Sequence, residues 1–70
     1  MERQPVESTV IASIGYDAAT GVLELEFHSG GVYRYFLVPP SVHRELVGAA
    51  SIGQAFQSLV RDRYRTERLD

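Results

Sequence analysis

Apolar and polar residues alternate through the first half of the chain, and this period of two predicts β-strands. The clearest example is residues 22–29. Leu23, Leu25 and Phe27 would share one face of that strand, and two glutamates and a histidine the other. Two further strands are predicted over residues 9–16 and 32–38.

Turn residues separate the three predicted strands. Residues 17–21 begin with Asp, which opens type I turns by bonding its own backbone, and end with Gly21, which accepts positive φ. Residues 29–31 read Ser-Gly-Gly and predict the second turn. Pro39 and Pro40 would end the third strand because neither can donate to a β-ladder.

After the prolines the spacing of apolar residues changes to that of helices. An apolar pair four residues apart predicts a short helix over residues 41–47, which Gly48 would end. Ser51 and Gln54 fit the N-cap and N3 positions of a capping box. The apolar stripe of the second helix consists of Ile52, Ala55, Phe56, Leu59, Val60 and Tyr64.

The element order β-β-β-α-α predicts the fold class. We expect an α+β domain: a three-stranded antiparallel β-meander followed by a short helix and a longer C-terminal helix packed on one sheet face. Seventy residues fit one domain. Residues 1–8 are predicted as a flexible arm and residues 9–67 as the single domain.

The register of the second hairpin decides which face Tyr33 and Tyr35 take, because a slip of one residue moves both to the opposite face. A three-residue loop would place Glu26 opposite Arg34. A two-residue Gly-Gly loop would place Glu26 opposite Tyr35. The first register is favoured because it pairs opposite charges across the strands.

The favoured register has a consequence for binding. It turns Tyr33, Tyr35 and Leu37 toward the helices. The residues left facing outward are Val32, Phe36 and Val38. An exposed apolar patch of this kind predicts a protein partner or a homodimer contact.

The amino-acid composition limits the functions that can be expected of this chain. The net charge is −2 and all seven positive residues are Arg, which argues mildly against strong nucleic-acid binding but allows a local basic patch. Cysteine is absent, so no disulfide or thiolate metal site is expected. No apolar run approaches the ~18 residues of a membrane span, and the polar N-terminus lacks a signal-peptide pattern, so we expect a cytoplasmic protein.

Arginines and tyrosines are the candidate RNA-binding residues. Arg61, Arg65 and Arg68 would share one side of the last helix and suit a phosphate backbone, although a solvated helix face is the plainer reading. Tyr33 and Tyr35 could stack bases, or could be core residues. Arg34 could contact phosphate, or pair with a glutamate of the neighbouring strand.

Residues for catalysis or metal binding are not grouped in the sequence. His28 and His43 are isolated, whereas a metal site needs three or four converging ligands. Glu24 and Glu26 lie two apart on one strand face, but acid–base chemistry needs a pocket that separates their pKa values. We therefore expect no catalytic residue, no metal and no cofactor.

An ordered set of short motifs resembles the KTSC domain family. The resemblance runs from about residue 6 to residue 64, and departs from the family at Thr9, where Ser is usual, and at Ala55, where an aromatic is usual. The motifs are Ser8-Thr9, Ile14-Gly15-Tyr16-Asp17, Leu23-x-Leu25-x-Phe27, Tyr33-x-Tyr35, Ser51-x-Gly53 and Tyr64.

The resemblance implies a domain that occurs at the C-terminus of some lysyl-tRNA synthetases and in small bacterial proteins, and for which RNA binding has been suggested. It supplies no catalytic residue. The first hypothesis is therefore a non-enzymatic domain that binds tRNA or single-stranded RNA. The alternative is a protein-interaction module, monomeric or weakly homodimeric. Neither hypothesis involves a membrane.

Overall fold

The computed structural model describes all 70 residues, Met1–Asp70. Five antiparallel strands form one sheet in chain order, with two helices between the fourth and fifth strands. The elements are β1 (Gln4–Pro5), β2 (Ile11–Asp17), β3 (Val22–Phe27), β4 (Val32–Tyr35), α1 (Pro40–Val47), α2 (Ile52–Leu59) and β5 (Thr66–Arg68). Neither helix has the length and apolar character that crossing a bilayer requires.

The α+β class, the antiparallel sheet and the two helices are confirmed, but the prediction of three strands is wrong. Strand β1 lies within residues 1–8, whose predicted flexibility stays a prediction. Strand β5 follows α2, which ends at Leu59 instead of continuing to Tyr64. Asp62, in the left-handed region at φ 60°, lies in the turn that reverses the chain toward β4. The amides of Val60 and Arg61 both bond the Phe56 carbonyl at this helix end.

The apolar core lies between the sheet and the two helices. Leu23 and Leu25 of the central strand are fully buried there, as the alternation predicted. Ser51 caps α2, with its Oγ accepting from the Gln54 amide at 3.3 Å, so that part of the predicted capping box is confirmed. The buried core residues are Ile11, Ile14, Leu23, Leu25, Tyr35, Val38, Leu46, Ile52, Phe56 and Val60.

The β3–β4 register matches neither predicted loop. Glu24 pairs with Arg34, and Glu26 with Val32, because the turn lies over residues 28–30, one residue earlier than the favoured three-residue loop. It is closed by the Phe27 amide, which donates to the Gly31 carbonyl at 3.0 Å. The observed register is shifted by two residues from the favoured one. Because side chains alternate with a period of two, each residue of β4 stays on its predicted face of the sheet. The inward direction of the β4 tyrosines is therefore confirmed.

Alternation fails where β4 ends. Leu37, predicted to face inward, is 81% exposed, and Val38, predicted to face outward, is 1% exposed. The cause is the backbone of Leu37, which adopts φ 58° and so breaks the strand geometry. This correction removes Val38 from the predicted outward patch and leaves Val32 and Phe36 half-buried.

The sheet face away from the helices buries a charged residue. Glu24 is 3% exposed. Its carboxylate accepts hydrogen bonds from Arg3 Nη1 and, at 2.9 Å, from Arg34 Nε. Arg3 Nε also donates to Ser13 Oγ at 3.1 Å, and Ser13 Oγ donates to Glu26 Oε1 at 2.9 Å. This outer-face network joins the segment before β1 to β2, β3 and β4.

The same network depends on a glycine. A Cβ on Gly15 would lie 2.8 Å from the Glu2 carbonyl oxygen and 3.1 Å from Arg3 Cγ. The distance to the Glu2 carbonyl oxygen is shorter than real Cβ contacts, so Gly15 lets residues 1–3 cross the sheet closely enough to bury Glu24. The pKa of Glu24 reflects two opposing causes: burial raises it, and the hydrogen bonds and charges of Arg34 and Arg3 lower it by more.

Replacing Glu24 by Gln should destabilise the fold. The change leaves Arg3 and Arg34 without their carboxylate partner. Breaking a fully buried pair costs about 3–5 kcal/mol, and since these arginines keep 30% and 39% of their side chains exposed we expect a loss of about 2 kcal/mol. Urea unfolding measures it. Glu67→Gln, at an exposed position opposite Arg34, is the control and should change stability by less than about 0.5 kcal/mol. Equal effects would contradict this role for Glu24.

The destabilisation should depend on pH. The folded state holds the pKa of Glu24 below its ordinary value of 4.5, so the carboxylate contributes stability above that value. As pH falls through the lowered pKa, protonation removes the contribution. The difference in unfolding free energy between the wild type and Glu24→Gln should be full near neutrality and shrink well below pH 4.5. A difference that stays constant down to pH 2.5 would show that the charge is not responsible.

Candidate nucleic-acid interface

Two of the predicted RNA-binding residues are engaged within the fold. Arg34 is bound to Glu24 on the outer face. Tyr35 is buried and packs edge-on against Phe56, with ring centroids 5.9 Å apart. Burial raises the pKa of Tyr35 to about 12. The Tyr35 ring therefore cannot stack on a base in this structure, and the expectation that it could is corrected.

Tyr33 forms the first of two arginine–aromatic pairs beside β5. The guanidinium carbon of Arg68 lies 5.5 Å from the centre of the Tyr33 ring, and Arg68 Nη1 donates to the Tyr33 hydroxyl at 3.3 Å. The two residues are direct partners in the β4–β5 ladder. Arg68 Nε also contacts Asp70 at 3.1 Å. Arg68 is exposed, although part of its charge is balanced by Asp70.

Phe36 forms the second pair, with Arg65. The guanidinium carbon lies 5.3 Å from the ring centre, and the Phe36 amide donates to the Arg65 carbonyl at 3.0 Å. The Arg65–Phe36 pair lies just beyond the paired ends of β4 and β5, and the Arg68–Tyr33 pair lies within their ladder.

The third predicted arginine lies elsewhere. Arg61 Nη1 donates to Gln57 at 2.8 Å, and Arg61 Nε lies 3.8 Å from Asp62. The prediction that Arg61, Arg65 and Arg68 share one side of a helix is wrong, because α2 ends before all three. A contact of these arginines with RNA stays a prediction.

A groove of about 500 Å³ lies where three connections meet: the β2–β3 turn, the segment after β4 and the turn before β5. Its lining residues are Thr20, Phe36, Leu37, Arg63, Tyr64 and Arg65. We call it the Leu37 groove. Leu37 and Arg63 were not predicted as site residues. This region is shaped by Leu37 and Asp62, whose backbones adopt the left-handed conformation, and the spacing of apolar residues in the sequence does not indicate that conformation.

The charge of the Leu37 groove is not balanced by salt bridges. Four of the seven arginines pair with a carboxylate: Arg3, Arg34, Arg61 and Arg68. Of the remaining three, Arg63 and Arg65 line the groove and Arg44 lies on α1. The protein as a whole is acidic, but this groove presents two guanidinium groups beside apolar side chains. No three His, Asp or Glu side chains converge to hold a metal ion.

The sequence profile of the KTSC domain matches residues 7–64. The chain belongs to the KTSC domain family. The crystal structure of a KTSC domain protein from Yersinia pestis superposes with a TM-score of 0.96 at 35% identity, covering 99% of this chain and 97% of that one. An uncharacterized protein from Stutzerimonas stutzeri is 41% identical over the full length of both chains.

A second kind of relative is larger. A lysine–tRNA ligase from Nostoc punctiforme is 43% identical over 90% of this chain, and the match covers 11% of the ligase. A lysine–tRNA ligase from Trichormus variabilis is 40% identical, again over 90% of this chain and 11% of the ligase. The KTSC domain thus forms nearly all of some proteins and a small part of others.

The serine and glycine motifs that resembled the family are used for packing. Ser8 Oγ accepts from the amides of Val10 and Ile11, both at 3.1 Å, and orders the entry to β2. A Cβ on Gly53 would lie 2.9 Å from Val10 Cγ2. Gly53 therefore lets the first turn of α2 approach the start of β2.

Proposed function

We propose that this KTSC domain binds single-stranded RNA, including the unpaired regions of tRNA, without catalysing a reaction. The observation that carries the proposal is the pair of exposed arginine–aromatic contacts, Arg65 with Phe36 and Arg68 with Tyr33, at the β5 edge of the sheet. Single-strand binding combines cationic side chains for the backbone with π-faces and guanidinium planes for the bases.

The relatives support RNA as the ligand class. In the lysine–tRNA ligases the KTSC segment belongs to a protein whose name gives tRNA as its substrate. The same segment in the small proteins would then carry an RNA-binding role by itself. No catalytic family is indicated by the profile match or by the small relatives.

Charge limits the strength of the proposed binding. With a net charge of −2, the protein as a whole repels RNA, and only a local patch attracts it. If Arg65 and Arg68 each neutralise one phosphate of a single strand, the slope of log K against log salt is about −1.4. Binding should therefore be weak at physiological salt and clearly stronger at low salt.

The alternative is a protein-interaction or homodimerising module that uses Val32 and Phe36. It has less support, because Val38 is buried and Arg65 lies over the Phe36 ring. A monomer over a concentration series in light scattering would weaken it further.

Removing the two β5-edge charges should weaken RNA binding. We expect the double variant Arg65→Gln, Arg68→Gln to lose at least about tenfold in affinity for a labelled single-stranded RNA of twelve nucleotides, since each guanidinium contributes a phosphate contact and a cationic plane. Fluorescence anisotropy at 20 mM salt measures the loss.

The matched control is Arg44→Gln, which removes an exposed arginine without a salt bridge from α1. It should change affinity less than about twofold, because it alters net charge only. Wild-type protein that does not bind the RNA at 20 mM salt, or an Arg44→Gln loss as large as that of the double variant, would refute the proposed function.

A further inference from the structure

We propose that the Leu37 groove is a single-nucleotide site: a base packs against the exposed Leu37 side chain, and its phosphate lies on Arg63 and Arg65. This inference rests on the proposed function and goes further by assigning one site and the role of each residue in it. Leu37 was predicted to face the helices and Arg63 was not among the candidate RNA-binding residues, and the arginine–aromatic pairs do not require either of them.

Leu37 combines two features that the fold itself does not need. Its side chain is 81% exposed, so it contributes little to the core. Its backbone adopts φ 58°, a region that disfavours large side chains and suits Gly or Asn. A residue selected only for stability at this position would be small or polar. Strained backbone of this kind clusters at functional sites.

Neighbouring contacts hold Leu37 in this conformation. On one side the Phe36 amide donates to the Arg65 carbonyl at 3.0 Å, and on the other the Val38 amide donates to the Gly21 carbonyl at 2.8 Å. The Val38 side chain is buried, and the Val38 carbonyl accepts from the Tyr16 hydroxyl at 2.6 Å. The backbone on both sides is therefore fixed, and it directs the Leu37 side chain to solvent.

Close backbone packing also keeps the groove in shape. A Cβ on Gly21 would lie 3.3 Å from Leu37 Cα, so the β2–β3 turn lies directly against this segment. Asp62, left-handed at φ 60°, precedes Arg63, whose amide donates to the Val60 carbonyl at 3.1 Å. These contacts hold the Arg63 side of the groove in place before a ligand binds. This lowers the entropic cost of binding.

The chemistry of the lining favours a nucleotide. Apolar surface from Leu37 and Tyr64 fits the flat face of a base, beside the Phe36 ring that Arg65 covers. Arg63 and Arg65 form no salt bridge in this structure and are free to take a phosphate. The volume of about 500 Å³ is in the range of small-ligand sites. The Arg65–Phe36 pair borders the groove, so an RNA strand bound at the β5 edge would reach it directly.

The test separates base contact from phosphate contact. The probes are a labelled single-stranded RNA of twelve nucleotides and an abasic ribose-phosphate strand of the same length and charge, both titrated by anisotropy at 20 mM salt. Leu37→Asn should lose at least about fivefold in affinity for the RNA and less than about twofold for the abasic strand, with its Tm unchanged or raised. Arg63→Gln should weaken both probes and reduce the salt slope by about 0.7.

Val47→Asn is the control, since it removes another exposed apolar side chain from the end of α1, outside the groove. It should bind both probes as the wild type does. Leu37→Gly provides a second variant compatible with positive φ, and should reproduce the selective loss of Leu37→Asn.

The outcomes distinguish the two proposals. If wild-type protein binds the RNA but Leu37→Asn and Leu37→Gly bind it equally well, the nucleotide site is refuted and the proposed function stands. Equal losses on the RNA and abasic probes would also refute the base contact at Leu37. If wild-type protein binds neither probe, the proposed function fails and the nucleotide site with it.

Discussion

The buried charge of Glu24 is the constraint on which the sheet depends. A carboxylate on the central strand, 3% exposed, requires hydrogen-bonding cations, and Arg3, just before β1, and Arg34 of β4 supply them. Meeting this requirement brings residues 1–3 across the sheet, makes Gly15 necessary, and joins this segment to three strands through one network. The charged side chains on the outer face of the sheet are therefore paired with one another and are not free to bind a ligand. A surface for an anionic ligand must lie elsewhere, and the free guanidinium groups lie beyond β4.

Much of the fold could be predicted from local patterns. Three features depend only on a few neighbouring residues and were predicted correctly. They are the alternation at Leu23 and Leu25, the Asp–Gly turn before β3 and the Ser51 cap. The face of the tyrosines was also predictable, although the register was not, because two registers that differ by two residues share the same faces. Both registers place Arg34 opposite a glutamate, Glu26 in the favoured register and Glu24 in the observed one, so charge pairing does not distinguish them.

The missing strands and the groove could not be predicted in this way. Strands β1 and β5 contain two and three exposed residues, too few for a period to be visible, and β5 is held by pairing with β4, which is distant in sequence. Arg65 and Arg68 were predicted on a helix because Tyr64 continued the apolar stripe, whereas Tyr64 packs against the core from a turn. Leu37 carries no sequence signal at all, because its conformation is set by hydrogen bonds of its neighbours to Gly21 and Arg65.

The central claim is that a rigid, strained segment after β4 presents an apolar side chain beside free arginines for RNA. Nuclear magnetic resonance of the full chain, with leucine methyl and backbone amide labels, tests it during titration with single-stranded RNA at low salt. We predict the largest shifts at the Leu37 methyls and at the Arg63 and Arg65 amides, with little change at Arg34. The claim would be contradicted if no signal moved, or if the shifts were confined to the outer-face network around Glu24.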